Sequence, residues 1–509
     1  MTRNDPVILV GASADADRAL VGGKAASLFR LRDLGAAVPE AAVLTTRAYH
    51  LWAESGGACV RDWVKQALAL LEEATGLRFG EADEGLIVSV RSGAPVSMPG
   101  MMDTVLNVGI GPATDDRPRH ILNSRYRFAA QFAETVLELA EDDVRQAEDR
   151  HPFAGTTASV ERFEQALRAQ AEAKGRAWPV GVENELIAAV EAVFRSWNSS
   201  RARLYRKMRR IDDGLGTAVT IQRMVFGNRD RSSGSGVAFT RNPGDGAPGL
   251  MGEFLCGGQG EEVVSGRETA QPLDAWRAAW PAAFAELQAL GHKLERRSGE
   301  VHEIEFTMEQ GRLHILQCRP ALLTASAAAV VAVSMAEEAL LTRDQALAYA
   351  RRHGFDPDAA TRHYAIRDDA VPAGTGLAVG GGIAAGRLAL SEAQAAEWSQ
   401  AGEAVIFATR ETSPRLLPIM ARAAGLLTMH GGATSHAAVV AREMGTPCIV
   451  GADGRIDGGR LKLAIELREG DMITLDADSG AVYTGDVRTT GDDGPPSAGI
   501  LAMWARGDA

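Results

Sequence analysis

The residue in this chain most plainly placed to do chemistry is a histidine that opens a helix. In Thr428-Met-His-Gly-Gly-Ala-Thr-Ser-His-Ala-Ala-Val-Val-Ala-Arg442, a glycine pair leads through Thr434 and Ser435 to His436. The small residues that follow, Ala437 to Ala441, read as a helix start. Such a turn holds an imidazole at a helix mouth, where free backbone N–H groups favour a phosphoryl group. Histidine is a competent nucleophile near neutral pH because its neutral form is well populated there. A capped helix around a core histidine is the competing reading, and the segment alone would favour it. The residues that weigh against it stand elsewhere in the chain.

Val21-Gly-Gly-Lys24 puts an ammonium on a flexible loop that approaches a phosphate with little steric hindrance, although it is not a Walker loop. Arg91 leaves a strand-like run beside Ser92 and Gly93 as a bidentate phosphate clamp. The apolar but loop-like residues Gly100, Met101, Met102, Asp103 and Thr104 follow, suited to closing over a polyphosphate and excluding water. In His302-Glu-Ile-Glu305, Glu303 and Glu305 share one strand face, and a hairpin sets Gln317 and Arg319 beside them. Two carboxylates and an amide oxygen make a hard site suited to Mg²⁺, with Arg319 reaching a phosphate that the metal also binds. In Thr220–Phe226, Gln222 is a candidate for a hydrogen bond and Met224 for packing against an adenine. Each pattern has an ordinary counterpart: a surface loop, an exposed acidic strand, a plain core methionine.

The elements that must position these groups are legible in outline. At 509 residues the chain exceeds one core, so two to four domains are expected. Strand-like runs lie at Val7–Val10 and Leu86–Val90, and a helical pattern runs from about Ala113 to Arg210. Thr217–Phe226 and Gly236–Thr240 read as strands, and Val301–Thr307 with Leu313–Gln317 as a hairpin. After Pro320 the composition shifts to Ala and Val, the signature of a connector, with a helical piece near Met335–His353. A second compact unit opens near Gly374, with strands at Ala404–Ala408 and Leu426–Thr428 and a closing hairpin at Asp471–Tyr483. Gly380–Gly386 lacks the spacing and acidic partner of a dinucleotide loop. Gly491–Ser497, with its proline pair, reads as a flexible tail.

A net charge of -12 argues against a broad basic nucleic-acid face. Four scattered cysteines without CxxC spacing read as reduced thiols, and no run reaches the ~18 apolar residues of a membrane span. With no signal peptide at the N-terminus, a cytoplasmic location is expected.

Together these stretches resemble the pyruvate, phosphate dikinase family across nearly the whole chain. The resemblance is carried by Gly22-Gly-Lys-Ala, Val88–Gly93, Ser97–Thr104, Met224–Asn228, Gly236–Pro243, Gly252-Glu-Phe-Leu255, Ile304–Thr307, Glu411-Thr-Ser-Pro414 and the His436 segment. It implies an α/β multidomain fold: an α+β ATP-grasp nucleotide-binding domain over 1–320, including the helical region at about 113–210, and a connector over 321–373. A swivelling α/β phosphohistidine domain over 374–488 and a flexible tail over 489–509 complete it. By the resemblance, Lys24, Arg91 and Arg319 are phosphate contacts, Gly100–Thr104 the loop over the terminal phosphates, and Arg127 a further family arginine. Glu303, Glu305 and Gln317 are metal-site residues, with Glu303 standing where the family usually has aspartate. His436 is the histidine that takes a pyrophosphoryl group from ATP with release of AMP, and phosphate then removes the terminal phosphoryl as pyrophosphate. Thr434 matches a position phosphorylated in plant members, and His430 departs from the family pattern.

The implied cofactors are ATP and Mg²⁺, with room for a monovalent cation, and the further substrate is inorganic phosphate. The family's pyruvate-binding barrel, which needs ~250 residues, is not expected within this chain. A separately encoded pyruvate/phosphoenolpyruvate barrel is therefore the expected partner and pyruvate the expected acceptor. The alternatives are transfer to another small molecule and a nucleotide-binding regulatory module.

Overall fold

The computed structural model describes residues 5–11, 17–81, 85–98, 100–114, 117–265, 270–357, 363–413, 416–491 and 496–506. Pro99 and Pro414 of the quoted motifs lie outside these. By their contacts the residues form two compact units, 1–229 with 314–318, and 230–313 with 319–509. Residues 230–313 thus group with the histidine-bearing part.

The first unit is built on an antiparallel sheet of β1 (Val7–Leu9), β2 (Ala41–Leu44), β3 (Val88–Gly93), β4 (Thr104–Val108) and β5 (Ala218–Arg223). The strand order is β1-β2-β5-β3-β4, which puts β3 in the interior, opposite both β4 and β5. The β2 residues Ala41–Leu44 are fully buried, as expected of an apolar interior strand. Helices α1 (Arg18–Asp33), α2 (Thr46–Ser55) and α3 (Val60–Thr75) pack on it. The predicted helical region appears as α4 (Arg119–Thr135), α5 (Glu141–Arg150), α6 (Thr157–Ala173), α7 (Val182–Ser196) and α8 (Ser200–Arg209). Buried Arg125 ties these together: it is paired with Glu164 and Glu185, and its Nη1 donates to the Ile110 carbonyl at 2.8 Å.

The second unit contains two larger sheets. One contains β6 (Gly234–Arg241), β7 (Pro248–Cys256), β8 (Gln271–Pro272) and β9 (His302–Glu309), in the order β9-β6-β7-β8; β10 (Arg312–Pro320) follows in the chain, its residues 314–318 counted with the first unit. Helices α9 (Gly260–Ser265), α10 (Leu273–Ala279) and α11 (Pro281–Ser298) follow its strands. At the β9–β10 turn, Gln310 and Gly311 both take positive φ, 50° and 76°.

The Ala/Val stretch after Pro320 is not an open connector. It is α12 (Ala325–Glu337), followed by α13 (Arg343–Arg352). Ala327, Ala328, Ala329, Val331, Ala332 and Met335 have no exposed surface and share a core with Val237, Phe239 and Tyr349. Ser326, Val330 and Ser334, four residues apart along the helix, are only partly buried, so one narrow stripe is left toward the surface.

The other large sheet is preceded by β11 (His363–Ile366) and comprises β12 (Pro372–Thr375), β13 (Leu377–Ala378), β14 (Ile383–Ala389), β15 (Val405–Thr409), β16 (Gly425–Thr428) and β17 (Cys448–Val450). A small meander, β18 (Arg455–Asp457), β19 (Arg460–Lys462) and β20 (Glu466–Arg468), leads to the hairpin β21 (Met472–Asp476) and β22 (Ala481–Thr484). The eight strands run β12-β22-β21-β14-β15-β16-β17-β13, with β14 to β17 parallel and the flanks antiparallel. Helices α14 (Glu392–Gln400), α15 (Leu417–Met420) and α16 (His436–Met444) connect the parallel strands.

The predicted tail is structured where it is described. β23 (Arg488–Gly491) pairs antiparallel with β11, and α17 (Pro496–Arg506) packs on α12 and α13. Leu501 is fully buried in the α12 core. Leu501→Ala is expected to destabilise the second unit by about 2–5 kcal/mol, the usual cost of emptying a buried leucine site. Urea unfolding followed by tryptophan fluorescence checks this, since a flexible tail would leave the curve unchanged.

Candidate functional site

In the first unit, α1 reaches the end of β3 through a glycine that no other residue could replace without movement. Gly22 interrupts the helix at φ 78° and ψ 166°, and a Cβ there would lie 1.7 Å from the Gly93 carbonyl oxygen. Gly23 N–H donates to the Ala94 carbonyl at 2.9 Å, which sets Lys24 beside the outgoing end of β3. Arg91 leaves that same strand. Its Nη2 donates to Gln317 Oε1 at 3.1 Å, and its Nη1 to Gln222 Oε1 and the Leu316 carbonyl, each at 3.4 Å. Arg91, Gln222 and Gln317 are therefore brought together, with Lys24 near the end of the same strand, whereas the sequence grouped Gln317 with Glu303 and Glu305. Met224 is half-buried against Ile87, Ile110, Ile121 and Phe226, an ordinary core contact.

The Gly100–Thr104 loop returns to β4, where Thr104 pairs with Arg91. Met101 is buried. Asp103 N–H donates to Ser196 Oγ at 3.2 Å, and the Asp103 carboxylate is paired with Arg201, whose Nε donates to the Met101 carbonyl at 3.1 Å. Burial raises the Asp103 carboxyl above its ordinary range, against the opposing pull of Arg201. Arg127 lies half-buried on α4, with Nε 3.4 Å from Asn123 Oδ1.

In the second unit, Glu303 and Glu305 lie two apart on β9, so they share a face. Arg319 on β10 donates to Glu303 Oε1 from Nε at 3.1 Å and from Nη2 at 2.7 Å. Among the described residues no group of three or more His, Cys, Asp or Glu side chains is arranged to hold a metal. The two β9 carboxylates nevertheless have the chemistry of a hard-cation site, and magnesium commonly binds through only one or two carboxylates.

His436 is the first residue of α16, in the loop that leaves the carboxyl end of the parallel strand β16, where open α/β sheets place their ligands. Ser435 caps the helix by accepting from Ala438 N–H at 3.4 Å. His436 Nδ1 lies 3.0 Å from Thr412 Oγ1, and Nε2 is buried with no hydrogen-bond partner among the described residues. With the Nδ1 proton donated to Thr412, the Nε2 lone pair is left to act as a nucleophile. Burial lowers the imidazole pKa from 6.5, favouring that neutral form.

The loop before the helix is braced from two sides. Glu253 on β7 accepts from Ala433 N–H at 3.1 Å and from Thr434 Oγ1 at 2.9 Å. A Cβ on Gly432 would stand 1.9 Å from Glu253 Oε1, so the glycine is what permits this contact. From within α16, Arg442 Nη2 donates to the Ala433 carbonyl at 2.8 Å, while Nε and Nη1 are buried without partners among the described residues. Its guanidinium lies 5.6 Å from the Phe239 ring centre, and burial pulls its pKa down to about 10. His430 is exposed.

Thr412, Glu253 and Arg442 were not singled out from the sequence. Thr412 and Glu253 stand in Glu411-Thr-Ser and Gly252-Glu-Phe-Leu, but their partners are 24 and 181 positions away and no local spacing joins them. Arg442 carried a readable signal, since it ends the same fifteen-residue segment as His436.

Histidine 436 is expected to titrate below 6.5 in the folded chain, with its proton on Nδ1, as read by imidazole ¹⁵N NMR. Because the folded pKa is the lower one, the unfolded chain takes up the proton first. Stability is therefore full above 6.5 and falls as pH drops from there toward the folded value. A midpoint at or above 6.5 would contradict the burial account.

The sequence as a whole is similar to known proteins. Residues 60–279 match the family described as pyruvate phosphate dikinase, AMP/ATP-binding domain, and residues 401–480 match PEP-utilising enzyme, mobile domain. The chain is 36% identical over 519 residues to pyruvate, phosphate dikinase of Clostridium symbiosum, covering 96% of this chain and 59% of that protein. It is 37% identical over 545 residues to the Rhizobium meliloti enzyme of that name, covering 97% and 59%. Against pyruvate, phosphate dikinase 2 of Zea mays it is 37% identical over 491 residues, covering 92% and 55%. The chain thus spans less than two thirds of the length of these relatives. No helix among the described residues is long and apolar enough to cross a membrane. Over the nucleotide-binding and mobile domains that it spans, this chain belongs to the pyruvate, phosphate dikinase family.

Proposed function

We propose that this chain is an ATP-dependent phosphotransferase of the dikinase type, which loads a phosphoryl group onto His436 and passes it to an acceptor. The observation that carries this reading is the histidine itself: Nδ1 faces a threonine hydroxyl and Nε2 is buried without a partner among the described residues at the start of α16. When Nδ1 donates to that hydroxyl, the Nε2 lone pair is left to react.

Lys24 and Arg91 bind the phosphates of ATP, and Gly100–Thr104 covers the terminal ones and keeps water away. Gln222, Met224 and Arg127 are assigned to the nucleotide, and Arg319 to a phosphate oxygen. Glu303 and Glu305, with Gln317, are the residues to hold Mg²⁺. When bound, the ion neutralises phosphate charge. His436 Nε2 attacks the β-phosphorus of ATP and the bond to the α-phosphate oxygen breaks, so AMP leaves and a pyrophosphoryl group remains on the histidine. Inorganic phosphate attacks the terminal phosphorus of that group, releasing pyrophosphate and leaving phospho-His436. The charge on the transferred group is met by cationic side chains and by the N–H groups of the α16 start.

The final acceptor is pyruvate, converted to phosphoenolpyruvate on a separate barrel protein. Neither described unit contains a closed barrel of eight parallel strands, since the sheets are five-, five-, two-, eight- and three-stranded. Transfer to an acceptor requires His436 to leave the donor site, so the β16–α16 sheet must move as a body.

Incubation with β-³²P-ATP, Mg²⁺ and phosphate is expected to give AMP, pyrophosphate and an acid-labile label on the chain, absent in His436→Ala. Thr412→Val, which removes the Nδ1 partner, is expected to slow labelling by about 10–100-fold, the scale seen when histidine-orienting groups are lost. Pyruvate should yield phosphoenolpyruvate only when a pyruvate-binding barrel is added. Equal labelling of wild type and His436→Ala would refute the histidine assignment.

A further inference from the structure

We propose that Arg201, on α8, is a positioning residue that sets the conformation of the Gly100–Thr104 loop over the terminal phosphates of bound nucleotide. The proposal rests on the preceding assignment of that loop to ATP. It adds a residue outside every motif considered so far, acting through the loop and not on the nucleotide.

The loop begins and ends at one place. Arg91 and Thr104 stand opposite each other on β3 and β4, so the chain between them must turn out and come back. Gly100, at φ 69°, gives the turn a left-handed residue. Beyond it, Arg201 holds two groups that are two residues apart: its Nε donates to the Met101 carbonyl at 3.1 Å and its Nη2 to the Asp103 carboxylate. A planar guanidinium is suited to this because its donors are fixed relative to one another. With both groups held, the backbone from Met101 to Asp103 loses most of its freedom, and Thr104 is delivered opposite Arg91.

The surroundings support a dedicated contact. Arg201 is the second residue of α8, whose cap is Ser199, accepting from Ala202 N–H at 3.2 Å. A cation in the first turn opposes the helix dipole, so local helix energetics do not account for arginine at this position. Asp103 across from it does. Ser196, the last residue of α7, accepts from Asp103 N–H at 3.2 Å while its hydroxyl donates to the Val193 carbonyl at 2.7 Å. The corner between α7 and α8 therefore grips the loop at Met101 and at both the amide and the carboxylate of Asp103.

A residue that shapes only the cover over the terminal phosphates should matter for ATP and not for AMP. In calorimetric titrations of the full chain, Arg201→Gln is expected to weaken ATP binding about tenfold, or 1.4 kcal/mol, and to leave AMP binding within about twofold. Arg201→Lys should fall between, since an ammonium reaches Asp103 but cannot fork to the Met101 carbonyl. Asp103→Asn combined with Arg201→Gln should be no weaker than Arg201→Gln alone, because the two act as one unit. Without nucleotide, amide hydrogen exchange at residues 100–104 should be faster in Arg201→Gln. An ATP affinity in Arg201→Gln equal to wild type, an equal loss for AMP and ATP, or unchanged exchange in the loop would each overturn the proposal. A wild-type chain that fails to bind ATP would overturn the nucleotide assignment along with it. Wild-type ATP binding that the variants retain would overturn the role of Arg201 alone.

Discussion

One carboxylate sets where helix α16 begins. Glu253 accepts from Ala433 N–H and Thr434 Oγ1, and Gly432 lets it come close enough to do so. With that loop held, Ser435 falls into the capping position and His436 into the first turn, facing Thr412. Charge-assisted bonds of this kind are short-ranged and directional, so a misplaced carboxylate would move the imidazole as well. The energetic asymmetry favours order. Removing Glu253 would leave an amide and a hydroxyl without their acceptor, which costs more than a single hydrogen bond contributes.

Much of the nucleotide-side arrangement was legible because it follows from strand periodicity and glycine placement. Arg91-Ser-Gly93 read as a strand end and closes β3, whereas Gly22-Gly-Lys24, read as a flexible loop, lies within α1 and breaks it only at Gly22, where the two glycine-bearing segments touch. Arginine roles were less legible. Arg127 was expected from resemblance, yet the neighbouring Arg125 is the buried one, bound to carboxylates 39 and 60 positions away. Arg241 is likewise enclosed by Glu295 and Glu338. An arginine that braces a core and one that meets a phosphate look alike in a string of letters. Only long-range partners separate them.

Two stretches misled for a shared physical reason: low complexity was taken for lack of structure. In α12 the Ala/Val run leaves only a narrow, partly exposed stripe, with Ser326 and Ser334 on it, because most of the helix surface is packed in a core. At the C-terminal end, Pro496 is the first residue of α17, a position where proline's fixed φ and missing N–H suit a helix. Composition alone could not show that Leu501 would be enclosed by residues far away in the sequence.

The strands β11 and β23 join the eight-stranded sheet to the rest of the second unit, and they lie side by side, with His363 opposite Gly491 and Ile366 opposite Arg488. Entry and exit of the chain therefore share a single antiparallel ribbon. A body tethered at two distant points can only flex between them, whereas one tethered through a paired ribbon has an axle. The ribbon is short, eight residues in four facing pairs, so few backbone hydrogen bonds define it. In evolutionary terms the same geometry gathers both covalent links of the histidine-bearing sheet at one joint, so an exchanged sheet would have to match that joint and the contacts of Glu253 and Phe239.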